Sequence, residues 1–323
     1  MSEQPFYVEQ INPLNEPLLR KFWEVEQAAQ RADREYPVLR DWTALQVVAR
    51  EPSQRTRHTF VVAWVDGHPV ATMDVMVFTQ ENPHLLELEI NVLPELRRRG
   101  IGRALHEEAL RLADGRTTFL GEANEPIDGE AAARPFAEAL GYSTVHVEHH
   151  LVLDLPGSPP EVDADDGWVV RTWVDSCPIE LRDGFVRLRN QMEQDVPRGD
   201  IDAAPDLYTA ERLAEEEVRM RKAFTTVTAV AERDGELGGY SKVVLPHGGD
   251  FAWQDDTLVM PDHRGHRLGL RLKTATHALI TTAHPERTVI HTWTDPENTA
   301  MYRTNERFGF RPVELLHEMQ RKL

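Results

Sequence analysis

The chain has 323 residues, 41% hydrophobic and 28% charged, which is the profile of a globular protein long enough for two domains. Its 54 acidic and 36 basic residues give a formal charge of −18, which argues against nonspecific nucleic-acid binding and favours attraction of cationic amines. A single cysteine, Cys177, excludes an internal disulfide framework; with no apolar run of membrane-spanning length and no leader pattern, the expected compartment is the cytoplasm.

Residues 6–11 alternate as a short strand. Residues 15–33 place Leu18, Leu19, Phe22, Trp23 and Val25 on one helical face, and 42–48 form a second short helix. Two β-rich runs, 58–65 and 69–78, flank Asp66-Gly67, a strong hairpin turn. A strand over 85–92 ends at Pro94, and an amphipathic helix over 99–113 follows, with Ile101, Leu105, Ala109 and Leu112 on one side. A strand at 117–120, a helix at 130–140 and a strand region at 142–155 complete the first half. Residues 156–167 are rich in Pro, Gly and acid and read as a linker between domains 1–155 and 168–323.

The order then repeats. A strand over 168–174 precedes helices over 179–193 and 209–224, the second opening on Thr209. The hairpin 225–232 and 237–245 turns at Asp234-Gly235. A strand at 251–259, a helix at 267–282, a strand at 288–293, a helix at 298–308 and a strand at 310–319 finish the chain. Each half reads β-α-α-β-β-β-α-β-α-β.

Two segments share the form V-x-P-x-x-R-x-x-x-x-G: Val92 to Gly102 and Val259 to Gly269, 167 residues apart. Gly141-Tyr142 and Gly309-Phe310 keep nearly the same offset, 168. A shared offset of about half the chain implies a duplicated domain. In each copy a glycine- and arginine-bearing loop joins a strand to a helix, which presents backbone N–H groups to an anion at the helix N-terminus. A solvated basic turn is the other reading of the same residues. Neither copy is a P-loop, since G-x-x-x-x-G-K-[ST] is absent, nor a Rossmann turn, since G-x-G-x-x-G is absent.

The element order, the 92–105 segment and the Gly-aromatic ends of the last helices resemble the GNAT superfamily of acyl-CoA N-acyltransferases, once per half. Arg97-x-x-Gly100-x-Gly102 matches that family's pyrophosphate loop, with Val92, Arg98, Arg99, Ile101 and Arg103 around it. Arg264-Gly265-His266-Arg267-Leu268-Gly269 matches after Val259, except that Arg267 replaces the first glycine. Arginine would add charge there if its φ were negative. Asn298 opens a segment resembling the second cofactor-contacting helix. The tandem arrangement is similar to two-domain acetyltransferases of the mycothiol synthase kind. The resemblance implies an α/β (α+β) fold: two GNAT domains, each a mixed, mostly antiparallel sheet splayed between its fourth and fifth strands and flanked by helices. It also implies acetyl-CoA or another acyl-CoA as co-substrate, no metal, and direct attack by a primary amine without a covalent enzyme intermediate.

For proton transfer the first copy offers Glu87 and Glu89 on its fourth strand, unless these are merely solvent-facing. Its last helix has Ala137 where many GNAT enzymes place a tyrosine acid. The second copy offers Asp256 as base and Tyr302, one turn before Asn305, as acid; packing is the other reading of Tyr302. On these grounds both loops are expected to hold acyl-CoA and the second copy to do the chemistry. His263, His266, His146, His149 and His150 lack metal-ligand spacing. The leading reading is a small-molecule N-acyltransferase, monomeric or homodimeric. An acyl-CoA sensor with an inactive domain and a protein N-acetyltransferase are the alternatives. The loop 194–208 is the expected selector of the acceptor.

Overall fold

The computed structural model describes residues 5–51, 53–162 and 166–323; residues 163–165 of the expected linker lie outside them. The chain divides into two compact units. Unit 1 takes Met1–Val147, Arg198–Ala204 and Leu315–Leu323; unit 2 takes Glu148–Pro197 and Pro205–Glu314.

Unit 1 begins with β1 (Phe6–Gln10), α1 (Glu16–Arg31) and α2 (Trp42–Arg50). Asn15 and Asp41 cap the two helices by accepting from Leu18 N and Ala44 N. Strands β2 (Thr56–Val65) and β3 (His68–Phe78) turn at Asp66 and Gly67, both at positive φ, which suits a two-residue hairpin. Next come β4 (Leu85–Val92), α3 (Ile101–Leu112), β5 (Thr118–Pro126), the short α4 (Ala133–Ala139) and the start of β6 (Ser143–Asp154). Strands β1 to β4 pair antiparallel, and β4 pairs parallel with β5. One face of this sheet buries Leu86, Val61 and Met73 against Ile101, Leu105 and Ala109 of α3. The other buries Phe60, Val62 and Trp64 against Leu19 and Phe22 of α1 and Leu45 of α2. Alternation along β4 therefore sends Leu86, Leu88 and Ile90 to α3, and Glu87 and Glu89 to the α1 side.

Unit 2 repeats the plan with β7 (Val169–Val174), α5 (Arg182–Asp195), α6 (Ala210–Met220), β8 (Phe224–Arg233), β9 (Glu236–Pro246), β10 (Phe251–Val259), α7 (Leu268–Ala283), β11 (Val289–Thr294) and α8 (Thr299–Phe308). Strands β7 to β10 are antiparallel, and β10 pairs parallel with β11. The final strand is β12 (Arg311–Lys322).

The closing strands are exchanged. β5 has β12 as its other neighbour, and residues 315–323 belong to unit 1, where Leu323 N–H donates to the Thr117 carbonyl at 2.8 Å. β11 pairs instead with His149–Asp154 of β6, antiparallel, within unit 2. Among the described residues no helix is long and apolar enough to cross a membrane, and no group of three or more His, Cys, Asp or Glu side chains is placed to hold a metal ion. Cys177 is buried and its thiol is pushed up to about 12 by that burial.

Candidate active site

In each unit the parallel pair is joined at one end only. β4 meets β5 over Leu85–Glu87 and Thr118–Leu120; β4 then runs on to Val92 and β5 to Pro126 without pairing. In unit 2 the contact is Phe251–Trp253 with Val289–His291, and the strands separate beyond it. Two facing, unpaired strand edges form a slot that an extended amide-bearing chain can enter.

A loop stands at the head of each slot, and the two loops share one backbone course. Arg97 (φ −65°, ψ 162°) matches Arg264 (φ −69°, ψ 159°). Two left-handed positions follow in each: Arg98 (φ 63°) and Gly100 (φ 82°) in the first, Gly265 (φ 91°) and Arg267 (φ 55°) in the second. Each loop thus holds one glycine and one arginine in left-handed backbone, in opposite order. Such a course gathers successive N–H groups into an anion-binding nest at the N-termini of α3 and α7. Arg267 keeps the loop shape at positive φ, so the negative-φ accommodation expected for it does not occur.

The motif arginines act as braces. Arg97 Nε donates to the Val92 carbonyl at 2.9 Å and its Nη1 pairs with Asp33. Arg264 Nε reaches the Val259 carbonyl at 3.3 Å and its Nη2 lies 3.3 Å from Asp195. Arg98, Arg99 and Arg103 are exposed around the first nest. In the second, His266 pairs with Asp166 at 3.2 Å. Ile101 and Leu268 are core residues that root the helices. Gly102 serves packing: a Cβ there would lie 2.9 Å from the Phe136 ring. Gly269 has only ordinary contacts, and Asn298 caps α8 by accepting from Met301 N.

The α1 face of the unit 1 slot is lined with carboxylates. Burial, then Glu122 and Glu89, push Glu87 up to about 8. Burial, then Glu122, push Glu318 of β12 up to about 7, against the pull of Arg198. Glu122 on β5 is also raised; solvent reaches it, yet protein crowds it enough to desolvate the charge. Glu89 is exposed and accepts from Gln30 and Asn91. Deeper in, Arg40 bridges Glu26 and Asp74, and His58 Nδ1 lies 3.0 Å from Asp74. Burial raises Asp74, but Arg40 and His58 outweigh it and hold the carboxyl low.

The Acetyltransferase (GNAT) family model matches residues 16–142. The chain carries a GNAT acetyltransferase domain. That match, confined to 16–142, identifies an acyltransferase domain there, and the whole chain shares its fold with solved structures. A tandem GNAT protein from the clavulanic acid biosynthesis pathway, solved without AcCoA, superposes with a TM-score of 0.84 at 22% identity, covering 98% of each chain. A GCN5-related N-acetyltransferase from Sphaerobacter thermophilus gives 0.71 at 17% identity, covering 98% of this chain and 95% of that one. Saccharomyces cerevisiae N-myristoyltransferase with bound myristoyl-CoA gives 0.61 at 12% identity, covering 99% and 83%. A comparison with curated protein sequences found no match.

In unit 2 the expected base is Asp256, hydrogen-bonded through one of its oxygens. β10 bulges against β9, so that Asp255 and Asp256 together oppose Lys242 and both face α5. Asp256 Oδ2 accepts from Tyr240 at 2.8 Å and Arg189 at 3.1 Å. Asp255 lies 2.9 Å from Lys242 Nζ. Burial and Asp255 raise the Asp256 pKa; Lys242 and Arg189 outweigh burial and hold Asp255 low. Arg189 also donates to the Tyr208 hydroxyl at 2.7 Å. Arg189, Tyr240 and Lys242 thus knit the two carboxylates into one ion network, with Asp256 Oδ2 taken up by two donors. Tyr302 is likewise engaged: its hydroxyl is 3.0 Å from His149 Nδ1, and burial raises its pKa. Glu122, Glu318 and Arg189 escape the motif reading because each enters its site from another strand or helix.

Proposed function

We propose that the chain is a cytoplasmic N-acyltransferase that carries an acetyl group from acetyl-CoA to a primary amine of a small molecule. Its two domains are encoded by the halves 1–155 and 168–323, joined by 156–167, and exchange their closing strands. Both nests suit the cofactor's pyrophosphate, with Val92, Arg97–Arg103 residues and Val259, Arg264–Gly269 residues around them and Asn298 at the second helix. Chemistry belongs to the first unit. The observation that carries this is Glu87, a crowded carboxyl with a pKa near 8, at the point where β4 leaves β5.

Acetyl-CoA supplies the activated thioester. Glu87 accepts the ammonium proton of the incoming amine, and its pKa suits a base working near neutral pH. Glu89, Glu122 and Glu318 draw a cationic amine into the slot. The amine then attacks directly as a neutral nucleophile. Unit 2, with Asp256 and Tyr302 engaged, binds acyl-CoA and supports the first unit.

A free-thiol assay with acetyl-CoA and an amine panel tests this. Glu87→Gln is expected to lose about 10²-fold or more in kcat, in line with removal of a general base. Asp256→Asn is expected to keep turnover in whatever fraction stays folded. Turnover surviving Glu87→Gln but lost in folded Asp256→Asn would move the chemistry to unit 2. Thermal stabilisation by CoA with no thiol release from any amine would favour the sensing role, which the engagement of the Tyr302 hydroxyl with His149 supports.

A further inference from the structure

The end of unit 1 opposite the cofactor nest holds a cavity of its own. The nest stands at the N-terminus of α3, and the helix runs 12 residues, about 18 Å, to Leu112. The cavity lies at that far end, between the C-terminus of α3 and the β2–β3 ladder, and measures about 220 Å³, far more than one water needs. Strand alternation decides what faces it. Val75 and Val77 belong to the α3-side core, and Thr59 and Arg57 stand opposite them in the β2–β3 register. Residues directly opposite in an antiparallel pair share a face, so Arg57 and Thr59 point to the α3 side as well. His58, between them, turns to Asp74 on the other face. Val77 in turn pairs with Leu86, inside the stretch where β4 and β5 are still joined. The cavity therefore sits at the closed end of the slot, away from both its mouth and the nest.

The donors around it are unmet. The Arg116 side chain is 10% exposed. Its Nη1 donates to the Ala113 carbonyl at 3.3 Å and its Nη2 to the Phe78 carbonyl at 3.4 Å, which fixes the plane of the guanidinium. Its Nε is buried and has no acceptor. A buried donor on a cation is costly to leave unmet, and an anion is the acceptor that relieves it best. Arg57 is exposed at the rim, and neither it nor the Thr59 hydroxyl has a hydrogen-bond or ion-pair partner among the described residues. Asp114 is the acid among the lining residues; it is 83% exposed and 3.9 Å from Arg116 Nη1. Two arginines against one aspartate leave a single positive charge here, in a chain whose formal charge is −18.

We propose that this cavity is a binding site for a small monocarboxylate with a short apolar body, separate from the acyl-transfer machinery. The carboxylate bridges Arg116 Nε and Arg57, with the Thr59 hydroxyl beside it. The hydrocarbon rests on Val75, Val77 and Leu112. One net positive charge suits a monoanion better than a dianion.

Isothermal titration calorimetry of the full chain with 3-methylbutanoate, its neutral amide and inorganic phosphate tests it, with and without saturating CoA to fill the nests. The carboxylate should bind with a Kd on the order of 1 mM, and the amide about tenfold or more weakly. CoA should change the carboxylate Kd by less than about twofold, since the two sites are about 18 Å apart. Arg57→Ala removes an exposed side chain with no partner, so the fold is not at stake, and it should weaken the carboxylate about tenfold. Arg116→Lys keeps the charge but loses the Nε donor and should weaken it at least as much, with the melting temperature reporting that the variant is folded. Carboxylate binding that does not saturate, that is no tighter than the amide, that CoA displaces, or that both folded variants retain overturns the proposal. Phosphate binding tighter than the carboxylate in the presence of CoA, and lost in Arg57→Ala, refutes the monocarboxylate assignment.

Discussion

Lys273 offers a test of how strictly the second unit is packed. It lies on α7, only 2% exposed, with its Nζ 5.3 Å from the Phe310 ring centre and no carboxylate against it. Burial alone lowers its pKa from 10.5 to about 7. Each pKa unit is worth about 1.4 kcal/mol, so holding the charged form in place costs on the order of 5 kcal/mol. The unfolded chain binds this proton more tightly than the folded one between pH 7 and 10.5. Stability therefore rises with pH across that window, and the full cost applies below it. Lys273→Met keeps the aliphatic stem and removes the charge. Urea unfolding followed by tryptophan fluorescence should show a gain of several kcal/mol at pH 7, shrinking toward zero by pH 10.5. Equal stability of the two proteins at pH 7, or a constant difference across the window, would refute the argument. The equivalent position in unit 1 is His106, which is bonded to the Tyr142 hydroxyl at 3.2 Å and held down to about 4 by burial. Lys273 and Phe310 thus stand where the first unit has a hydrogen-bonded pair.

Other variants probe single contacts. Arg267→Gly relieves left-handed backbone at the second loop and should stabilise by about 1 kcal/mol, read as a higher melting temperature. Gly102→Ala should destabilise by about 1–3 kcal/mol by overpacking against Phe136, and Phe136→Leu should restore most of it in the double variant. Arg189→Ala removes a buried cation from the partly exposed Asp255 and Asp256 and should cost about 1–3 kcal/mol in denaturant titration. Gly199→Ala, whose Cβ would lie 2.2 Å from the Val145 carbonyl oxygen, should destabilise by about 1–3 kcal/mol in the same titration.

Most of the element order is legible in the sequence because the apolar periods, the Asp-Gly turns and the Pro stops agree with one another. The strand over 85–92 is found at those bounds, and β5 extends six residues past its expected end at Leu120 because its outer half leaves the sheet ladder with β4. The exchange of β6 and β12 leaves no trace in sequence, since either strand has the same alternation whichever β5-type edge it joins. That is why Glu318 is invisible as a neighbour of Glu87 and Glu122. The loops are half legible. Their glycines mark left-handed backbone, but Arg98 and Arg267 occupy the same conformation with no compositional sign of it. Arg97 and Arg264 look like phosphate ligands in the motif, and their ion pairs with Asp33 and Asp195 are not legible there. Asp256 looks like a base in the sequence, and the bulge that brings Arg189 and Tyr240 to it leaves no mark there.

The exchanged closing strands make each half of the gene responsible for finishing the other half's product. A protease cut between β6 and β7 would not release two self-sufficient enzymes; each fragment would carry a strand that its own sheet does not use. Mixed in solution, the two fragments should behave as a split protein, inert apart and recovering acyl transfer on recombination. For the same reason loss of either copy would leave the other without its closing strand, which is cause enough for both to be retained.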